Sequence, residues 1–235
     1  MTGTLINMGS IIAGTAIGCL AGSRLPAMMR RIVLYGIGLV VILIGFQMAV
    51  RTQNILVVLV AISIGGTIGG FVRIEARIEQ LGQFLQAKFS AGSEQSVAKG
   101  FVTASLVFCV GPMAILGSIS DGLSGDYTLL SIKAAMDGFA SIAFGASLGW
   151  GVGLSAILIL VYQGGITLFA GILPSALNEA MITEMTATGG LIIIGIGIKL
   201  LDLKDLPLAN FVPAIAVAPA IMALIPVIRG LFLTL

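Results

Sequence analysis

Eight apolar stretches, separated by short polar breaks, constrain this chain more than any single residue does. A membrane-spanning helix takes about 20 mainly apolar residues, so 235 residues leave room for seven or eight spans. The stretches are residues 4–23, 32–50, 55–73, 100–119, 134–152, 154–173, a short one at 188–201, and 209–228. Only 9% of the chain is charged, against about 25% in soluble domains, which is too little polar surface to coat a soluble core. Gly is 32 of 235 residues, about twice its ordinary share. Gly and Pro within apolar sequence are the composition of transmembrane helices that approach closely. The expected fold is all-α: a polytopic transmembrane helical bundle, a single domain over 1–235, with the lipid bilayer as its solvent.

Three segments depart from the plain apolar pattern. Residues 73–99 carry Arg, Glu and Gln around a stripe of Ile74, Ile78, Leu81, Leu85 and Phe89. Those helical steps predict an amphipathic helix lying in the interface, or alternatively one packed on a partner, followed by a flexible loop at 91–99. Residues 120–133 predict a polar loop. Residues 174–187, which start at Pro174 and carry Glu179 and Glu184, predict a short surface helix.

Basic residues set the expected orientation. With eight spans, Arg24, Arg30, Arg31, Arg73, Arg77, Lys88, Lys99, Lys199 and Lys204 fall on one side, and Arg51, Lys133 and Arg229 on the other. The first side should be cytoplasmic and both termini extracytoplasmic. The N-terminus lacks a basic n-region, so the first span is expected to stay in the mature protein.

The two halves resemble each other, which predicts a repeat of four spans, 1–119 and 134–235. Residues 10–22 align without gaps on 141–153, matching Gly14, Gly18 and Gly22 with Gly145, Gly149 and Gly153. Such four-residue glycine spacing makes a helix-packing face, within one chain or between the two copies of a homodimer. Gln47 and Gln163 occupy matching places in the second pair of segments. Repeats of this kind are common among transporters, with sites formed where the halves meet.

The candidate site residues are polar groups inside apolar runs. Asp137 opens the fifth span and Lys133 lies one turn earlier on the same face. An intramembrane acid is a functional candidate; the alternative is a structural ion pair at the membrane edge. Asn7, Gln47, Gln163 and Ser141 are candidate neutral ligands, or hydrogen-bond glue between helices. Pro112 must break or kink the fourth span, and Gly164-Gly165 should interrupt the sixth, each exposing backbone carbonyls. There is no histidine, which excludes Ser-His-Asp chemistry, and Cys19 and Cys109 predict apolar packing residues. DGLSGD at 121–126 has Leu123 and Ile132 where an EF-hand needs ligands. No metal, no cofactor, no nucleic-acid partner and no enzymatic activity are expected.

GTLIN at 3–7, GPMAILGSISDGLSGD at 111–126, Lys133 with Asp137-Gly138, and QGG at 163–165 resemble the bacterial membrane proteins grouped as domain of unknown function 554. The resemblance implies a bacterial inner-membrane protein of seven or eight spans, and it transfers no catalytic residue. The leading expectation is a transporter or channel-like carrier for a small ion or polar solute. The alternative is a scaffold or sensor that docks a partner through residues 73–90.

Overall fold

The computed structural model describes all residues except 23–25, 90–96, 110–111, 171–176 and 234–235. Arg24, Pro174 and most of the expected loop at 91–99 lie outside the described residues. The described residues form α1 (Thr2–Gly22), α2 (Ala27–Ala49), α3 (Ile55–Val72), α4 (Ile74–Phe89), α5 (Val97–Cys109), α6 (Pro112–Ser124), α7 (Thr128–Leu148), α8 (Gly151–Leu168) and α9 (Glu179–Leu200). A 3-10 turn (Leu208–Phe211) and α10 (Ala214–Leu233) follow. Among the described residues, seven segments are long and apolar enough to cross a membrane.

An eighth crossing comes from α5 and α6 together. Pro112 opens α6 as its first residue, where its missing N–H costs no helical hydrogen bond. The axes of the two helices turn by 65° at the break. Whether such a pair crosses or returns is decided by its neighbour α8. Gly100 of α5 packs on Gly151 and Val152, at the start of α8, and Gly122 of α6 packs on Thr167, in its last turn, and on Ala170 just beyond it. The pair therefore runs alongside the whole of α8, as a broken crossing.

Glycines set the other helix pairs. On α1, Gly14, Gly18 and Gly22 lie against the backbone of Gly138, Ile142 and Ala146 on α7. The constant offset means that α1 and α7 run parallel. Gly38 and Gly45 of α2 meet Gly197 and Gly190 of α9 in the opposite sense, an antiparallel pair. Gly65 and Gly69 of α3 likewise meet Ala214 and Asn210 in reverse order. Lipid is as apolar as a leucine core, so close backbone packing has to hold such helices together. The most buried span is α9. Leu39, Leu43 and Phe46 on α2, and Leu56, Leu59 and Phe71 on α3, remain exposed as an apolar outer face.

Several expectations change. The polar loop at 120–133 is instead the end of α6, a short turn, and the first turns of α7. Asp126 sits in that turn, and hydrogen bonds from the Thr128 hydroxyl and N–H hold its pKa below the ordinary carboxylate range. Gly164 and Gly165 do not interrupt their span, because α8 continues through them to Leu168. The surface helix and the short span seven are one helix, α9. It starts at Asn178, whose side-chain oxygen accepts the Met181 N–H. The repeat is not shown. Residues 10–22 lie within α1, but 141–153 turn a corner: Gly145 is in α7, Gly149 caps it at φ 76°, and Gly153 is in α8.

The amphipathic helix is present as α4 and is tied to its own chain. Arg73 adopts a left-handed conformation (φ 57°) that turns the chain out of α3. Glu75 then accepts hydrogen bonds from Lys199 Nζ at 3.2 Å and from the Ala209 N–H at 2.7 Å. Its own N–H donates to Asn210 Oδ1 at 2.9 Å. Glu75→Ala is expected to loosen α4 without unfolding the bundle. Amide exchange over 74–80 should speed up several-fold while α7 and α9 stay protected; unchanged exchange in α4 would refute this tether.

Candidate functional site

Three spans, α1, α7 and α8, bring one polar cluster together in the half of the bundle nearer the termini. Asn7 projects from α1, where Thr4, Asn7, Ile11, Gly14 and Gly18 share the buried stripe. Lys133, Asp137 and Ser141 are successive turns of α7, and all three are buried. Gln163 and Thr167 are successive turns of α8. Ser118 comes from α6 and is fully buried.

The cluster is a short chain of hydrogen bonds. Lys133 Nζ donates to Asp137 Oδ2 as an i,i+4 ion pair. Asn7 Nδ2 donates to the same oxygen at 3.0 Å and to Gln163 Oε1 at 3.4 Å. The carboxylate decides how the amides face. It accepts only, so Asn7 must present its NH2, and Gln163 must present its carbonyl to that NH2. The far end of each amide is thereby left over. Asn7 Oδ1, Gln163 Nε2 and the hydroxyls of Thr4, Ser118, Ser141 and Thr167 have no hydrogen-bond partner among the described residues. A buried polar atom without a partner is costly, and Asn7 Oδ1 and Gln163 Nε2, on the two amides joined to each other and to Asp137, mark a place fit to contact something polar.

The electrostatics are equally specific. Asp137 and Lys133 are each 7% exposed, while Asn7, Ser141 and Gln163 are fully buried. A buried ion pair is tolerated when both charges stay paired, and removing one partner leaves the other uncompensated. α7 begins nine residues before Asp137, at Thr128, so Asp137 lies mid-helix.

The sequence-based candidates divide cleanly. Asn7, Lys133, Asp137, Ser141 and Gln163 come from three helices to one region. Gln47 does not join them. The face of α2 that packs is marked by Gly38 and Gly45 against α9, and two residues past Gly45 the helix has turned outward, leaving Gln47 exposed. Gly14, Gly18, Gly22 and Gly145 are used in packing α1 on α7; Gly153 meets Thr15 of α1, and Gly149 ends a helix.

Two acids read from the sequence only as parts of a turn and a surface segment prove to be buried. Asp121 is buried, accepts the Gly3 N–H at 3.1 Å and pairs with the Met1 ammonium at 3.0 Å. Glu184 is buried in α9 and accepts from Thr52 Oγ1 at 2.6 Å, the Gln53 N–H at 2.8 Å and the Asn54 N–H at 3.0 Å. Thr4 and Thr167 had a usable signal: each lies one helical turn from a buried amide on the same face.

A recess of about 600 Å³ lies at the opposite end of the bundle, among Glu75, Lys99, Lys199, Asp202 and Asp205. Several of its ions are paired, Lys199 with Glu75 and Asp205, and Lys99 with Asp202, and Glu79 and Lys204 also line it. Beside it is an apolar cavity of about 580 Å³. The cluster at Asp137, where hydrogen-bonding capacity is unspent, remains the stronger candidate site.

The helix lengths, the apolar outer face and the buried polar cluster define a polytopic α-helical membrane protein. The chain belongs to the family described as "Protein of unknown function (DUF554)", which matches residues 2–223. It is similar to the uncharacterized membrane protein YdfK of Bacillus subtilis (strain 168), at 31% identity over 231 residues, covering 96% of this chain and 97% of that one. It is also similar to the uncharacterized protein YqgA of Escherichia coli (strain K12), at 26% identity over 225 residues, covering 94% and 96% of the two chains. No solved structure matches.

Proposed function

We propose that this protein is a transporter or channel-like carrier for a small ion or polar solute. The observation that carries the reading is the pair of unpartnered amide atoms, Asn7 Oδ1 and Gln163 Nε2, beside the buried Lys133–Asp137 pair. Intramembrane ionisable groups facing the bundle interior commonly mark solute or ion pathways. The broken α5–α6 crossing supports it, since broken helices are tolerated where they line protein or a cavity. The helix ends rich in Arg and Lys, opposite the termini, are read as cytoplasmic. On this reading both termini lie outside, in a bacterial inner membrane. The scaffold reading is weaker, because α4 already has a partner in its own chain.

Purified protein in liposomes should carry a solute or ion flux, and Asp137→Asn should lower it at least tenfold. Size-exclusion profiles check that the variant is folded. Wild-type flux from a folded Asp137→Asn protein would remove Asp137 from the pathway.

A further inference from the structure

The charge balance of the cluster narrows what it can take. Lys133 and Asp137 cancel, so the site carries both signs and no net charge. A bare cation drawn to Asp137 meets the Lys133 ammonium already on the same carboxylate oxygen. An anion drawn to Lys133 meets Asp137. Either ion, to bind, leaves one buried charge without its partner, and buried charges are held only in pairs. A solute that brings both signs escapes this: its carboxylate takes Lys133, its ammonium takes Asp137, and no charge is orphaned.

The neutral groups have the matching pattern. Asn7 Oδ1 is a spare acceptor, which an ammonium needs; Gln163 Nε2 is a spare donor, which a carboxylate needs. The Ser141 hydroxyl can do either, and it also has no partner among the described residues. Each of these three side chains is fully buried. The solute must be small, since Gly14 of α1 is packed directly against the Gly138 backbone, one residue from Asp137.

From this geometry we infer that the solute is a small zwitterion of the amino-acid type, held between Lys133 and Asp137. The inference rests on the transport reading above and names its substrate class.

The test is uptake into proteoliposomes containing the full chain, with labelled glycine and L-alanine as zwitterions. Rubidium, chloride and glycerol serve as cation, anion and neutral probes. Glycine or L-alanine should be taken up. The double variant Lys133→Gln/Asp137→Asn leaves no buried charge unpaired, should remain folded, and should lose at least nine-tenths of that uptake. Gln163→Met, which leaves the ion pair intact, should raise the apparent KM at least threefold. Amino-acid uptake untouched by both variants would overturn the assignment of the site. Flux of rubidium, chloride or glycerol, with none of the amino acids, would overturn the zwitterion and leave transport standing. No flux of any probe would overturn the transport reading, and the zwitterion with it.

Discussion

Gly18→Leu is expected to prevent assembly of the bundle, while Gly36→Leu leaves it intact. Both positions are helical glycines in apolar sequence. At Gly18 a Cβ would overlap the Ile142 carbonyl and press on the Ala146 N–H of α7. These are backbone atoms, so no side chain can swing aside. The helices must separate, and the contacts of Gly14 and Gly22 with Gly138 and Ala146 open with them. Overpacking a core costs roughly 1–3 kcal/mol where side chains can adjust, and more is expected where only backbone can move. Gly36 has nothing within reach of its Cβ, and leucine is the better helix former. Detergent extracts should show a monodisperse peak for Gly36→Leu and aggregated or absent protein for Gly18→Leu. Equal behaviour would mean that α1 and α7 are not in backbone contact.

Glu184→Ala should be strongly destabilising, and Glu179→Ala nearly silent. The two are five residues apart in one helix, and by sequence alone both belong to the same surface segment. Glu184 is buried beneath the α2–α3 turn and accepts three hydrogen bonds from it, two of them from backbone N–H groups. Hydrogen bonds to a charged group are worth about 1.5–3 kcal/mol each, and truncation leaves those donors unpaired. Glu179 is exposed at the first turn of α9. Its loss removes a helix-dipole interaction of about 0.3–1 kcal/mol. Thermal midpoints in one detergent test the contrast, with Glu184→Gln between the extremes. A Glu184→Ala midpoint equal to that of Glu179→Ala would show that the turn does not depend on this carboxylate.

The candidate site was legible where its chemistry is local. Lys133 and Asp137 are four residues apart on one helix, and that spacing alone brings them together. Pro112 was legible as a break for the same reason, since ring geometry acts on its own turn. Gln47 and Gln163 carried equal weight as amides in apolar helices, yet one is exposed and the other fully buried. The glycine alignment of 10–22 with 141–153 pairs unlike local structure, because a matching pattern says nothing about whether a helix ends within it, and Gly149 ends α7.

Composition and spacing alone established an all-helical membrane protein, the approximate places of its spans, the amphipathic α4 and the local ion pair. Those properties follow from segment length, apolar content and the helical repeat, all of which act within one stretch of chain. Tertiary structure alone decided which polar side chains meet: that Asn7 reaches Asp137 and Gln163, that Gln47 turns outward, and that Glu184 holds a distant turn. The physical reason is the solvent. In water an amphipathic pattern separates inside from outside, but lipid and core are alike apolar. The faces of these helices are therefore assigned by glycine contacts with their neighbours, which no single segment contains.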